Sequence, residues 1–322
     1  MTNGRETMFE IAINKLRKFI AIIDEEGIVS LIKGIKRFFI GILQNYSPRF
    51  WYWDFLSHFS KRRIIFKHIK GYRMALDLRD RGVSRSLFCF GFIEKFETEL
   101  IEKVLRKGDT FLDVGANLGY YTLIAAKIVG NEGKVFAFEP ESNNFALLKR
   151  NVEMNGFKNI VLVNKAISNK SGKAKLFLSK ERNVFGGHSL YNNEWLNAKE
   201  NDFVTVDIIT LDEFFKDYDG DIDIIKMDIE GAEGLALQGM QNLLRKNKNV
   251  KIFTEFSPIG LKASPIGPKE YLNMLMNFGF KIYEINEEKK KLESIKTYIL
   301  NMNQTNLLSI KDSKLIMEAE KE

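Results

Sequence analysis

Two carboxylates and two glycines set the chemistry that this chain is suited to. Asp113 lies in Phe111-Leu-Asp-Val-Gly-Ala-Asn-Leu-Gly-Tyr-Tyr-Thr-Leu123, where an apolar strand runs into a loop with glycines at 115 and 119 and then into a helical pattern. The next apolar run, Val135-Phe-Ala-Phe138, ends in Glu139-Pro140. Glycines at a strand-to-helix turn let a ligand approach the backbone, and the helix N-terminus favours a polar or anionic group. An acid at the tip of the second strand is placed to accept hydrogen bonds from both hydroxyls of a ribose. Strand, glycine loop, helix, strand and acid together describe a nucleoside-cofactor site.

The loop chemistry narrows the cofactor. A dinucleotide site calls for G-x-G-x-x-G, whose middle glycine leaves room for a pyrophosphate. Here Asn117 stands where that room is needed, and a third phosphate-loop glycine is lacking, which disfavours an NAD-dependent oxidoreductase. The pattern Asp113-x-Gly115-x-Asn117-x-Gly119 resembles motif I of class I S-adenosylmethionine (SAM) methyltransferases, whose ligand carries a methionine moiety and no phosphate. The expected cofactor residues are Asp113, Gly115, Ala116, Asn117, Gly119 and Tyr121 in this segment, with Glu139, Pro140 and Asn143 after the second strand. Ala166 and Asp228, beyond the third and fourth strands, complete the set.

A sheet is needed to hold those residues together. Strands are expected at Tyr72–Leu78, Ile160–Val163, Asp223–Asp228, Lys251–Phe256, Phe280–Ile285 and Leu307–Ile310, besides the two already named. Helices are expected over Phe96–Leu105, Asn143–Met154, Glu233–Arg245 and Lys269–Phe278. Lys173–Leu178 and Phe203–Ile208 alternate as antiparallel strands do, with a glycine- and Asn-rich excursion between them. Strands alternating with helices imply an α/β, Rossmann-like fold with a mostly parallel sheet, here of seven strands, and helices on both faces. Lys226 inside the apolar fourth strand is costly unless it meets a carboxylate, for which Glu255 and Glu230 are the candidates.

Composition bounds the rest. The 322 residues suit one large α/β domain with an added piece. A single cysteine, Cys89, rules out internal disulfides and fits a reducing, cytoplasmic compartment. The start, Met1 to Glu10, carries Arg5, Glu6 and Glu10 without an apolar run, so no cleaved signal peptide is expected. Residues 1–76 hold 14 Lys/Arg against 6 Asp/Glu, whereas the remainder is close to neutral. Positive charge is therefore remote from the cofactor residues, which argues against a nucleic-acid partner.

Residues 1–70 read as a basic, aromatic-rich helical extension, with the catalytic domain in 71–322. Leu16–Ile23 and Ile28–Leu43 place Lys33, Lys36 and Arg37 at helical intervals among apolar residues, and Phe50, Trp51, Tyr52, Trp53 and Phe55 come after them. The longest uncharged stretch, Phe38–Pro48, is too short to span a bilayer. Two readings stay open for residues 16–63: a helical cap on the main domain, or peripheral contact with the inner face of a membrane.

From about Gly71 to Ile285 the chain resembles the FkbM-type methyltransferases. The resemblance rests on Gly91-Phe-Ile-Glu-Lys-Phe-Glu97, Asp113-Val-Gly-Ala-Asn-Leu-Gly-Tyr-Tyr-Thr122, Phe138-Glu-Pro140, Gly186-Gly-His-Ser-Leu190 and, most specifically, Ile225-Lys-Met-Asp-Ile-Glu-Gly-Ala-Glu233. Phe256 stands where relatives often carry histidine. The resemblance implies SAM-dependent O-methylation, commonly of a sugar, glycan or related small-molecule hydroxyl. An alcohol is a weak nucleophile, so a nearby base helps. Asp228, His188 and Glu230 are the catalytic candidates, with Glu233 weighed as a capping acid. The rival reading is a SAM-fold protein kept only for binding or scaffolding. Histidines at 58, 68 and 188, without C-x-x-C, show no zinc spacing, and no second Asp-Asn pair marks a catechol-type divalent site, so no metal is expected. The oligomeric state is not legible.

Overall fold

The computed structural model of the protein describes residues 48–60, 63–179, 184–194, 196–199, 201–295, 299–300 and 304–311. The amphipathic segments 16–23 and 28–43 lie outside the described residues. Helix α1 (Pro48–Phe59) precedes a hairpin of β1 (Ile64–Ile69) and β2 (Tyr72–Asp77), turned through Lys70 and Gly71, both at positive φ. The expected boundary after Lys70 falls on that turn. Because β1 pairs along its whole length with β2, residues 64–69 are strand and one unit with 72–77.

Helices α2 (Val83–Phe90) and α3 (Lys95–Val104) lead into the first half of the main sheet. There β3 (Thr110–Val114), α4 (Tyr120–Val129), β4 (Lys134–Phe138), α5 (Ser142–Asn155) and β5 (Ile160–Val163) alternate as expected. A small separate sheet of β6 (Ala166–Ile167), β7 (Gly172–Phe177) and β8 (Phe203–Ile209) then carries the glycine- and Asn-rich excursion. The second half runs α6 (Leu211–Phe214), β9 (Ile224–Met227), α7 (Glu233–Gln238), α8 (Gln241–Lys246) and β10 (Lys251–Phe256). It closes with α9 (Pro258–Ala263), α10 (Pro268–Asn277), β11 (Lys281–Asn286), β12 (Lys291–Ser294) and β13 (Thr305–Ile310).

The main sheet has the order β12-β11-β13-β10-β9-β3-β4-β5. Strands β5, β4, β3, β9 and β10 are parallel, and β13 runs antiparallel to both β10 and β11. These are the seven expected strands, with β12 added as a hairpin partner of β11. Continuous apolar runs suit strands buried on both faces. Phe111, Val135 and Ala137 enter one core with α2–α5, while Leu112, Phe136 and Phe138 enter the other with α7, α8 and α10.

That alternation decides where the polar residues go. Asp113, Lys226 and Glu255 share the parity of Phe111, Ile224 and Phe253, so they face the α3–α4 side of the sheet. The single helix expected over Glu233–Arg245 is two. Its break is at Gly239, where an added Cβ would stand 2.1 Å from the Ser168 carbonyl oxygen. The Gly239 carbonyl accepts from Asp212 N at 2.9 Å.

Candidate active site

The glycine loop is shaped by backbone contact. Gly115 has φ +88, and a Cβ there would stand 2.0 Å from the carbonyl oxygen of Asp228. Asp228 N in turn donates to Val114 O at 2.9 Å, so the loop after β3 and the end of β9 touch main chain to main chain. The N–H groups of Gly115 and Ala116 donate to Phe138 O at 3.0 and 2.9 Å. Asn117, also at positive φ, accepts from Leu118 N through Oδ1 at 2.8 Å, a local bond that eases this backbone conformation. Its own N–H donates to Glu139 Oε2 at 2.8 Å, and Glu141 N donates to Glu139 Oε1 at 2.9 Å. Burial pushes the Glu139 carboxyl up to about 8, against the pull of those two N–H groups.

One cavity gathers much of the expected set. Gly115, Asn117, Glu139, Pro140, Ala166, Asp228 and His188 line it. Asp113, Ala116, Gly119, Tyr121, Asn143 and Glu230 do not. Asp113 sits beneath the loop, accepts from Thr122 Oγ1 at 2.5 Å, and is raised to about 6 by burial. It ties β3 to α4 rather than facing a ligand. A Cβ on Gly119 would meet Leu148 Cδ1 at 2.7 Å, so this residue shapes the left-handed start of α4. Asn143 turns its amide onto Glu141 at 2.9 Å, and its neighbour Asn144 lines the cavity instead. Lys165, Phe185 and the apolar residues Ile167, Leu176 and Leu190 complete walls that sequence spacing did not single out.

The excursion is stapled over this cavity. Phe185 O accepts from Asn117 Nδ2 at 3.4 Å and Asn144 Nδ2 at 2.9 Å, and Phe185 N donates to Asp80 Oδ1 at 3.1 Å. Ser189 Oγ donates to the Glu230 carbonyl at 2.6 Å, joining the Gly-Gly-His-Ser turn to the loop after β9. His188 Nδ1 accepts from Ser179 N at 3.1 Å, so the neutral ring carries its proton on Nε2. Burial lowers His188 to about 4, with Glu141 opposing. At neutral pH the ring is therefore an uncharged donor.

Beside the cavity lies a carboxylate cluster. Lys226 is fully buried and stands 3.2 Å from Glu97 Oε1, 3.8 Å from Glu94 Oε2 and 3.8 Å from Asp228 Oδ2. Burial opposes its charge, but the fields of Glu97, Glu94, Asp228 and Glu255 outweigh it and raise the ammonium well above its usual value. Its closest partner is therefore Glu97 of α3, from the Gly91–Glu97 segment, and not Glu255 or Glu230. Tyr121 belongs to this cluster: its hydroxyl donates to Glu94 Oε2 at 2.8 Å, and Lys226 lies over its ring at 5.2 Å. Asn306 Nδ2 donates to Glu94 Oε1 at 2.6 Å and also to Glu97.

The loop after β9 holds the remaining acids. Glu230 takes positive φ, and at Gly231 (φ +99) a Cβ would fall 2.5 Å from backbone of Gly260. Glu233 accepts from Ile229 N at 3.1 Å and Gly231 N at 2.9 Å, bonds that fix the loop ahead of α7, whose N-cap Ala232 makes no side-chain cap bond. The carboxylate oxygens of Asp228, Glu230 and Glu255 lie within 4.8 Å of one another. Burial raises Asp228, with Lys226 opposing, and raises Glu230 and Glu255 well above the carboxylate range, reinforced by their acidic neighbours. Phe256, at the position where relatives often carry histidine, is fully buried and stacks on Tyr271 with ring centroids 6.4 Å apart.

Comparison with known proteins points to methyl transfer. The "Probable cobalt-precorrin-6B C(15)-methyltransferase (decarboxylating)" of Saccharolobus solfataricus is 34% identical over 100 residues, covering 29% of this chain and 47% of that protein. Protein-L-isoaspartate O-methyltransferase 1 of Archaeoglobus fulgidus is 34% identical over 59 residues, covering 18% of this chain and 27% of that protein. The chain thus spans about half or less of the length of these curated relatives. Among solved structures, methyltransferase FkbM from Methylobacillus flagellatus aligns at TM-score 0.38 and 16% identity, covering 84% of this chain and 60% of that one. The family described as Methyltransferase FkbM domain matches residues 113–287, more than half of the chain. The chain belongs to the FkbM family of SAM-dependent methyltransferases.

Proposed function

We propose that the protein transfers the methyl group of SAM to a hydroxyl of a sugar, glycan, glycolipid or related small molecule. The observation that carries this reading is Asp228. The residue lines the cofactor cavity, and its carboxylate is raised by burial and stands 3.8 Å from a buried lysine. A carboxylate with a raised pKa at the rim of a cofactor pocket suits removal of a hydroxyl proton.

The residues fit the cofactor on their own chemistry. Glu139 has carboxylate lone pairs beyond the two that its N–H donors use, so it has the acceptors a ribose needs. Ile167, Leu176 and Leu190 offer an apolar wall to a flat base. The close approach at Gly115 leaves main chain, not side chain, at the cavity floor. SAM supplies an electrophilic methyl on a sulfonium when bound. Asp228 then orients the acceptor hydroxyl and takes its proton, and His188, as a neutral Nε2–H donor, contacts the acceptor or cofactor. Glu230 supports Asp228 through the shared carboxylate cluster. Lys226 keeps the neighbouring acids in place.

Methyl-labelled SAM incubated with the protein and candidate hydroxyl acceptors tests this. Alkali-stable label in a glycan or small-molecule fraction, lost in Asp228→Asn, supports the reading. Label found only in nucleic acid, or none despite S-adenosylhomocysteine binding, refutes it.

The extension supports a second part of the proposal: cap and peripheral contact combined. Trp53 is fully buried, 5.2 Å from Phe88, whereas Tyr52, Phe90 and Phe92 are exposed and Arg49, Lys67 and Arg85 lie among them. Among the described residues no helix is long and apolar enough to cross a membrane. Sedimentation with anionic vesicles, reversed by salt, is the expected result. Indifference to vesicles leaves the cap alone.

A further inference from the structure

The acids around the β9–β10 end of the sheet outnumber the groups that satisfy them. Glu233 has two N–H donors, and Glu94 has the Tyr121 hydroxyl and Asn306. Glu97 has Lys226 at 3.2 Å. That leaves Asp228, Glu230 and Glu255, whose oxygens converge within 4.8 Å. Asp228 shares Lys226 at 3.8 Å, and among the described residues no other ion pair reaches the three. Glu255 is 3% exposed; Gln304 donates to its Oε1, while its buried Oε2 receives no hydrogen bond. A buried carboxylate oxygen without a donor is costly unless a proton or a cation meets it.

We propose that Asp228, Glu230 and Glu255 form a binding site for a hard divalent cation at the edge of the methyl-transfer cavity. The donor set is all carboxylate oxygen, which suits Ca²⁺, Mg²⁺ or Mn²⁺ rather than zinc or copper. Oxygens up to 4.8 Å apart span an ion at a metal–oxygen distance of ~2.4 Å, typical of Ca²⁺, while Mg²⁺ at ~2.1 Å draws them slightly closer. The three ligands come from the end of β9, the turn after it and the adjacent β10, so each is held by a different backbone segment. Asp228 also lines the cofactor cavity. A cation held through one Asp228 oxygen would polarise an acceptor hydroxyl and leave the other Asp228 oxygen to take its proton, so the ion would act with Asp228 rather than in its place. Only this last role rests on the methyl-transfer reading; cation binding does not.

The competing occupant is a proton shared between Glu230 and Glu255. Full-length protein stripped with EDTA and titrated with Mn²⁺ by electron paramagnetic resonance separates the two, with Ca²⁺ and Mg²⁺ followed by competition. The expected result is one saturable Mn²⁺ per chain, bound at least tenfold more weakly by Glu230→Gln and by Glu255→Gln. S-adenosylhomocysteine affinity, measured in the same samples, should stay within a few-fold after stripping and reports separately on the cofactor reading. Thermal unfolding should shift upward with Ca²⁺ in the natural protein and not in Glu230→Gln. Absence of Mn²⁺, Ca²⁺ and Mg²⁺ binding in protein that binds S-adenosylhomocysteine overturns the proposal. So does binding undiminished in both variants.

Discussion

Two ends of one sheet edge solve opposite problems. At the β3–β4 end, polar groups are matched: Glu139 meets two N–H groups, and the loop N–H groups of Gly115 and Ala116 meet Phe138 O. At the β9–β10 end, one fully buried lysine stands among Glu94, Glu97, Asp228 and Glu255, with Glu230 adjoining. The first end is preorganised by main chain and resembles a socket. The second is charge-imbalanced and responds to whatever enters it. Binding and chemistry are thereby divided along the edge, with Asp228 lining the cavity from the reactive end.

Removing the lysine should produce the largest effect. Lys226→Met leaves buried carboxylates uncompensated and should destabilise the fold by about 3–5 kcal/mol, read by chemical denaturation. Adding Glu97→Gln should restore much of it. If Lys226→Met is harmless, the imbalance assigned to this end is wrong.

Asp228→Asn should lower turnover about 100- to 10,000-fold while S-adenosylhomocysteine affinity stays within a few-fold. A parallel loss of affinity would place Asp228 in the socket and dissolve the division.

Glu139→Ala should weaken S-adenosylhomocysteine binding by about 1–3 kcal/mol. The natural protein should also show a pH dependence of affinity. Free Glu139 is raised to about 8 by burial, and ribose hydroxyl donors favour its ionised form. Below that pH a proton must leave before binding, so affinity should fall by up to about tenfold per unit as pH drops, and level off above it. Calorimetry in buffers of different ionisation enthalpy checks for the released proton.

Smaller effects sharpen the same division. Gly119→Ala strains a left-handed position and presses on the movable end of Leu148, so it should cost roughly 1 kcal/mol of stability with cofactor affinity nearly intact. His188→Ala should raise KM several-fold, and His188 should contribute no acid limb near pH ~6.5, because burial lowers it to about 4. A limb at that pH, lost in the variant, would return the ring to the role of base.

Local patterns made the socket legible. Gly115, Asn117, Glu139 and Asp228 sit at strand ends whose apolar runs announce them, and β5 and β10 fall where those runs end. The reactive end was legible only in part. The Lys226–Glu97 pair joins two residues with no periodic relation, through the packing of α3 on the sheet. Glu255 reads as one polar residue in an apolar strand, and only the neighbouring β9 shows that it shares a site with Asp228 and Glu230. Asn143 and Asn144 differ by one helical step, and the phase is set by Glu141 capping both backbone N–H groups. The division at Gly239 depends on Ser168, from the small sheet's side of the fold, which no local pattern contains.

The most direct test of the account is methyl transfer from labelled SAM into fractionated glycan, lipid, protein, nucleic-acid and small-molecule pools, comparing natural protein with Asp228→Asn. The account predicts ether-linked label in a hydroxyl-bearing glycan, lipid or small molecule, and its loss in the variant with S-adenosylhomocysteine binding preserved. Equal labelling by both proteins, or label confined to nucleic acid, would contradict it.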